Sequence, residues 1–476
     1  MSGTTERRHA AMLAVGAALA ALAACAPHLG PAPQIKPISA YAVTQSFSAP
    51  PAAWPQAQWW RGLGDPQLDA LIQEALQGSP TLAQAEARLR RAQAQAEQAR
   101  AALLPSLTAN ANVAEVRQSE HTGIPPQFVP RGWRDFGSGT LNLNWDFDLF
   151  GRNRAALRAS AYEADAARLD SEQSRLMLTT SVVAAYGDLV RSFGARDAAQ
   201  QVLANRQQSA RLTQERARQG LSTRADAALA ESGMAVAQSE LAAADLQIGL
   251  TRDRLAALTG QGPDRGLAIE RPNIAQTAVF GLPAGLAVDL LGRRPDVVAA
   301  RLRAQAASRR VRAAQAAFYP DINLASYIGR QALGLNLLGQ PGSTYGQVGL
   351  ATSLPIFDGG RLSGALRSER ADYDASVAGY DQTLTQALQD VADAAVNART
   401  LQTRLDATRR ALGAAEDASR IAQLRWRAGL ISHITALQSE DAVIAQRRAL
   451  ADLQGQAVAN EAALARALGG GFRASP

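Results

Sequence analysis

Between Leu141 and Leu149 the chain reads Leu-Asn-Leu-Asn-Trp-Asp-Phe-Asp-Leu, apolar at every odd position and Asn or Asp at every even one. Strand side chains alternate between faces, so this segment predicts a ribbon with one apolar and one polar face. A core on one side and water on the other explains such a ribbon. Lipid on one side and a water-filled lumen on the other explains it equally. Weaker alternation marks three further segments, and strands are predicted over about 106–118, 136–150, 321–330 and 345–357. Of the 24 Phe, Trp and Tyr residues, eleven fall within Ser106 to Phe150 or Phe318 to Gly360, a concentration that suits the aromatic girdles of a membrane barrel.

Elsewhere the apolar positions follow a helical period. Arg152 to Arg216 holds no Pro and few Gly, and at about 1.5 Å per residue it predicts a rod of roughly 95 Å. Leu362 to Arg427 predicts another of about the same length. Leu169, Leu176, Val183 and Val190 recur at sevens, the spacing of coiled-coil packing. Such rods reach across a space rather than enclose a site.

The chain runs through this plan twice. A helix from Pro66 to Leu104, two alternating segments and a long helical region are followed by a helix from Pro295 to Phe318, two more alternating segments and a second long region. Ala156-Leu157-Arg158 answers Ala365-Leu366-Arg367, and Arg218-Gln219-Gly220-Leu221 answers Arg427-Ala428-Gly429-Leu430. A duplicated chain is read as one architecture built from similar halves. The first repeat covers 61–260, a Gly- and Pro-rich connector 261–294, and the second repeat 295–476.

The first residues carry a different signal. Arg7 and Arg8 precede an apolar run from Ala10 to Ala24, shorter than the ~20 residues of a membrane-spanning helix, so 1–24 reads as a signal peptide. Leu22-Ala23-Ala24-Cys25 resembles the lipobox of bacterial lipoproteins, in which the cysteine becomes the lipidated first residue. Acyl chains on Cys25 would anchor the chain, and Ala26 is compatible with delivery to the outer membrane. Residues 25–60, rich in Pro, read as an extended tether.

Charge and composition remove other classes. The chain is 47% hydrophobic and 19% charged, which suits a folded protein rather than a disordered one. Its formal charge is +7, yet Lys36 is the only lysine and the arginines are scattered among Asp and Glu without clustering. That pattern describes solvated helix faces, and no nucleic-acid partner is expected. His9, His28, His121 and His433 show no metal-ligand spacing, and Cys25 is the single cysteine. With no nucleophile elbow and no phosphate loop, no catalytic residue, metal or cofactor is expected. Arg293-Arg294-Pro295-Asp296 is read as a helix start with Pro in the first turn, in preference to an anion site.

Four strands cannot close a barrel, because lipid leaves no edge unsatisfied and the smallest membrane barrels have about eight strands. Sharing one barrel among copies resolves this, so the membrane reading requires oligomerisation. The fold expected is mainly α with a membrane β-barrel portion.

Specific motifs agree. Trp59-Trp60, then Gly64-Asp65-Pro66-Gln67-Leu68-Asp69-Ala70-Leu71-Ile72 and Ala75-Leu76, resemble the N-terminal signature of TolC-like outer-membrane efflux proteins of the NodT/OprM lipoprotein type. So do Leu290-Leu291-Gly292-Arg293-Arg294-Pro295-Asp296-Val297-Val298-Ala299-Ala300 and the strand ends Asp148-Leu149-Phe150-Gly151 and Ile356-Phe357-Asp358-Gly359. The resemblance covers nearly all of the mature chain. It implies a homotrimer with a twelve-stranded outer-membrane barrel continuous with a periplasmic α-helical barrel. It also implies docking on a periplasmic adaptor protein and an inner-membrane RND-type pump, for passive conduction of drugs or other small molecules. By that resemblance Gly220, Leu221, Ser222, Gly429 and Leu430 form the adaptor-contact tips, and Asp226 lies at the periplasmic gate. Gln438 stands where the family has a second aspartate, which implies a gate with fewer carboxylates. The polar strand face, Asn142, Asn144, Asp146 and Asp148, is expected to line the barrel lumen. The alternatives are a duct for type I protein secretion, and a non-pore periplasmic coiled-coil lipoprotein held by Cys25.

Overall fold

The computed structural model describes residues 29–121, 125–274, 281–283 and 286–473; the lipidation expected at Cys25 lies outside them. In chain order the elements are α1 (Pro66–Gly78), α2 (Pro80–Ala101), β1 (Ser106–Val116), β2 (Arg134–Asp146), α3 (Arg152–Arg218), α4 (Arg224–Leu258) and α5 (Asp264–Leu267). They are followed by α6 (Leu286–Arg293), α7 (Pro295–Ala316), β3 (Asp321–Leu333), β4 (Thr344–Ser353), α8 (Arg361–Arg427) and α9 (His433–Ala467). Helices α3 and α8 each run for 67 residues, and α4 and α9 each for 35. The internal repeat is therefore visible as equal element lengths.

The chain forms two compact units. Among the described residues, one comprises the chain up to Ile35, Leu89–Ala166 and Ala300–Gly379, and contains the sheet. Its four strands are antiparallel neighbours in the order β1-β2-β3-β4. The other comprises Lys36–Arg88, Ala167–Ala299 and Tyr380–Pro476, and holds the main apolar core. There Leu68, Leu71, Ile72 and Ala75 share one face of α1 through their three- and four-residue spacing. They join Val182, Tyr186 and Leu189 of α3, Ile248 and Leu255 of α4, and Val458 of α9 in one cluster. Each such large side chain contributes about 1.5–3 kcal/mol on full burial. Helices α3 and α9 meet at a pair of glycines: a Cβ at Gly187 would stand 2.8 Å from the Gly455 carbonyl oxygen. No side chain fits that crossing.

Three expectations are corrected. The helix expected from Pro66 to Leu104 breaks at Ser79, because Pro80 has no N–H to donate and disfavours helical backbone before it. Strands β2 and β4 end at Asp146 and Ser353, several residues before the expected 150 and 357. Finally, the described part of the tether is docked. Tyr41, Val43, Phe47 and Trp54 pack on the cluster of Leu282, Leu290, Leu388 and Val391. The Leu282 N–H donates to the Pro50 carbonyl and the Ala52 N–H to the Leu282 carbonyl, while the Arg293 guanidinium sits 4.2 Å over Trp54. The apolar residues between the prolines supply the adhesion that composition alone conceals.

Candidate functional site

The strand register sorts side chains to the two faces of the sheet. Directly paired residues share a face, so Leu107, Leu143, Ser326 and Val348 form one rung, and Ala109, Leu141, Ile328 and Gly346 the next on the same side. Leu107, Leu141, Ile328, Val348 and Leu350 on this face are all exposed. The opposite face carries the rungs Thr108, Asn142, Tyr327, Gln347 and Ser106, Asn144, Ala325, Gly349. Asn142 Nδ2 donates to the Thr140 hydroxyl at 3.2 Å on this polar side. A sheet with an exposed apolar face is built for lipid rather than water. Its strands of 11, 13, 13 and 10 residues reach or exceed the ~9–11 residues a tilted membrane strand requires. Among the described residues, no helix is long and apolar enough to cross a membrane.

At the base of the sheet, polar residues from strand ends and helix starts interlock. Arg152, first residue of α3, lies 3.3 Å from Asp146 and 3.1 Å from Asp321. Asp146 also accepts from Asn153 Nδ2 at 2.7 Å and from the Asp148 N–H at 2.7 Å. Asp146 therefore sits on the polar face with its charge offset. Asp148 does not lie on that face. It follows the strand at φ 49°, only 7% exposed. Its carboxylate accepts from the Asn153 and Arg154 N–H groups at 2.8 and 2.9 Å. It satisfies donors that the first turn of α3 leaves open, so of the four expected lumen residues, Asp148 is corrected to a helix cap. Sequence reasoning missed its counterpart Asp358, which accepts from the Leu362 N–H at 2.8 Å and the Gly360 N–H at 3.0 Å at the start of α8. The hydrogen bond from Leu362 is the largest influence holding the Asp358 carboxyl below its ordinary range. Two Asp residues, each a few positions before Gly and a helix, are a readable cap signal.

In the other unit, the expected tip residues occupy the reversals between α3 and α4 and between α8 and α9. Gly220 and Gly429 have φ of 76° and 75°, left-handed backbone that glycine adopts without strain. The Leu221 N–H then reaches back to the Arg216 carbonyl at 2.8 Å, and the Leu430 N–H to the Arg425 carbonyl at 2.9 Å. Leu221 and Leu430 remain 65% and 68% exposed. At the first tip Asp226 Oδ2 accepts from the Thr223 N–H, the Thr223 hydroxyl and the Ser222 hydroxyl at 2.8–2.9 Å. These bonds, that from the Thr223 backbone foremost, hold its carboxyl below the ordinary range. At the second tip Ser432 caps the Thr435 N–H at 3.1 Å with no carboxylate, and Trp426 stacks on His433 with ring centroids 3.9 Å apart. Gln438 is exposed, three residues past Thr435 along α9. Thr435, not Gln438, is the positional counterpart of Asp226 within the repeat, being third in its helix.

The signature motifs prove to be junction clamps. Asp65 caps α1 through the Gln67 N–H at 2.9 Å, and it accepts from the Tyr186 hydroxyl at 2.6 Å and the Asn273 N–H at 2.8 Å. Burial, reinforced by the Asp65 carboxylate, pushes the Tyr186 hydroxyl far above its ordinary range, so it stays a donor. Arg294 is no anion site: its guanidinium is 5% exposed and committed to Asp296 at 2.6 Å and Asp390 at 3.0 Å.

Comparison with known proteins follows the same division into halves. The chain matches the outer membrane efflux protein family over residues 71–261 and 286–470. It is 32% identical over 436 residues to the multidrug resistance outer membrane protein MdtP of Shigella flexneri, across 89% of this chain and 88% of that one. It is 36% identical over 326 residues to the fusaric acid resistance protein FusA of Burkholderia cepacia, across 67% of this chain and 61% of that protein. Its fold superposes on the outer membrane protein VceC of Vibrio cholerae with a TM-score of 0.81 and 41% identity, covering 88% of this chain and all 100% of VceC. On the outer-membrane channel OprN the TM-score is 0.82 at 28% identity, covering 93% and 99%.

Proposed function

Because the chain belongs to the outer membrane efflux protein family, we propose that it is the outer-membrane channel of a tripartite efflux system of the RND type. It conducts drugs or other small molecules passively, drawing energy from an inner-membrane pump through a periplasmic adaptor. The observation that carries this reading is the four-stranded sheet with one apolar and one polar face and two unpaired edge strands. Lipid tolerates no open edge. Three copies of the sheet close a barrel of twelve strands, apolar outside and lined by residues such as Asn142, Asn144 and Asp146.

The long helices continue the duct on the periplasmic side. Gly220, Leu221, Ser222, Gly429 and Leu430 form the surface the adaptor meets, because the glycine reversals hold two leucines out in water at the ends of rigid rods. Asp226 and Gln438, just past those reversals, contribute to the gate. Cys25 carries the lipid that places the chain in the outer membrane.

The test is electrical and genetic. Purified protein is expected to be trimeric and to pass current across planar bilayers once its tips are loosened by substitution. A strain lacking it should lose resistance to a panel of toxic compounds and regain it on complementation. A monomer that passes no current would overturn the proposal, and so would unchanged resistance in a strain with no second channel.

A further inference from the structure

One basic residue sits on the mainly apolar face of the sheet. Arg330 shares a rung with Gly139 and Thr344 towards the loop ends of the strands, one rung beyond Leu141 and Ile328. Its guanidinium donates to the Gly339 carbonyl at 3.2 Å. Among the described residues no carboxylate lies within ion-pair distance of it. The acidic pair on that face, Glu115 and Asp135, lies two rungs further out. Asp135 is itself engaged, accepting from the Leu335 N–H through its carboxylate and from the Gly334 N–H through its carbonyl, both at 2.6 Å.

Those two bonds pin the β3–β4 loop down over the apolar face. Leu335 and Leu338 lie against Gly137, where a Cβ would stand 2.6 Å from a Leu335 methyl. Between the pinned loop and the strands is a groove of about 830 Å³ lined by Leu141, Ile328, Leu335, Leu338, Gly139 and Arg330. Its size falls within the range of small-ligand sites. At Gly139 a Cβ would meet nothing within 4 Å, so the floor beside Arg330 is open.

We propose that this groove binds a phosphate-bearing lipid of the surrounding leaflet, with an acyl chain along Leu141 and Ile328 and the phosphate on Arg330. The proposal rests on the sheet being membrane-spanning, since only then is the groove presented to lipid. A guanidinium lacking a carboxylate partner suits a phosphate, which it can hold through paired N–H bonds. Its place near the strand ends puts that charge at headgroup depth while the groove extends towards the hydrocarbon.

Native mass spectrometry tests the site on full-length protein released from nanodiscs of phosphatidylglycerol and phosphatidylcholine mixed equally, with identical acyl chains. The wild-type protein is expected to retain phosphatidylglycerol about fivefold over phosphatidylcholine, the scale of one arginine near an anionic surface. Arg330→Gln should equalise the two, and Gly139→Leu should lower retention of both by filling the groove. Equal retention by the wild type, or an undiminished preference in Arg330→Gln, overturns the proposal. Alkaline carbonate extraction of a Cys25→Ser variant from proteoliposomes of the same lipids separates the two failures, since no acyl anchor then holds a sheet that does not span. Protein that stays embedded without a lipid preference removes only the lipid site, whereas protein that washes out removes the spanning sheet as well.

Discussion

In the first half of the chain the residue before the helix-breaking proline is Ser79, and in the second half it is Arg294. The two halves reproduce each other in the lengths of their long helices, yet their clamps differ in chemistry and in place, the first at the start of α1 and the second at the break itself. The first half uses a largely neutral clamp, in which the Tyr186 hydroxyl and the Asn273 N–H converge on Asp65. The second uses a buried ion triad, with Arg294 between Asp296 and Asp390 and also 3.4 Å from the Ala467 carbonyl. Duplication has kept the break before the proline and let the clamps differ in kind and position. What the repeat fixes is where the chain must turn, not which residue turns it.

Removing one member of each clamp should separate them. Arg294→Ala strands two partly buried carboxylates and is expected to cost about 3–5 kcal/mol. Tyr186→Phe deletes the hydroxyl's bonds to Asp65 and from Gln67 Nε2 while Asp65 keeps its two backbone donors, and is expected to cost about 1–3 kcal/mol. Thermal unfolding of the purified protein in detergent measures both. Equal losses would mean that the charge in the second clamp contributes nothing beyond its hydrogen bonds. The double variant Arg294→Met with Asp390→Leu should recover part of the loss, because it removes one of the two stranded carboxylates while Asp296 keeps the Val297 N–H.

The helix caps at the sheet base form a second pair. Asp148 takes two N–H groups of α3 and is nearly buried, so Asp148→Ala should cost about 1 kcal/mol or somewhat more. Asp358 makes the same kind of cap at a half-buried position, less enclosed than Asp148, and Asp358→Ala should cost less. A larger loss at Asp358 in the same unfolding measurement would break the ranking by burial.

Much of this architecture is legible in the sequence because its signals are periodic. Leu141 to Trp145 alternates without exception, and the register found for β2 keeps that alternation on two faces. The long helices follow from two stretches free of proline. The strand end is illegible for the same reason: alternation continues to Leu149, but Asp148 is claimed by the first turn of α3 and the strand stops at Asp146. A periodic pattern says nothing about competition from a neighbouring element. The clamps are illegible for another reason, since Tyr186 and Asp65 stand 121 positions apart and neither is unusual by itself. Arg330 likewise becomes conspicuous only once the register puts it among apolar neighbours.

The smallest expected effect concerns the tips, where the halves differ by one carboxylate. Asp226 closes the first tip with three hydrogen bonds from Thr223 and Ser222, and the second tip has Thr435 in its place. The Asp226 carboxyl is held below its ordinary value by these bonds. A depressed carboxyl lends its stabilisation fully above the unfolded-state pKa, about 3.9 for Asp, and loses it as pH falls through the lower folded value. The first tip should therefore keep its cap throughout the neutral and mildly acidic range and loosen only below about pH 4. Hydrogen exchange of the 219–228 segment, compared with the Asp226→Asn variant at each pH, reads this directly. Protection should exceed that of the variant at pH 6 and converge with it in strong acid. If the two already coincide at pH 6, the carboxylate does not secure the tip, and the contrast between the halves ends at their clamps and caps.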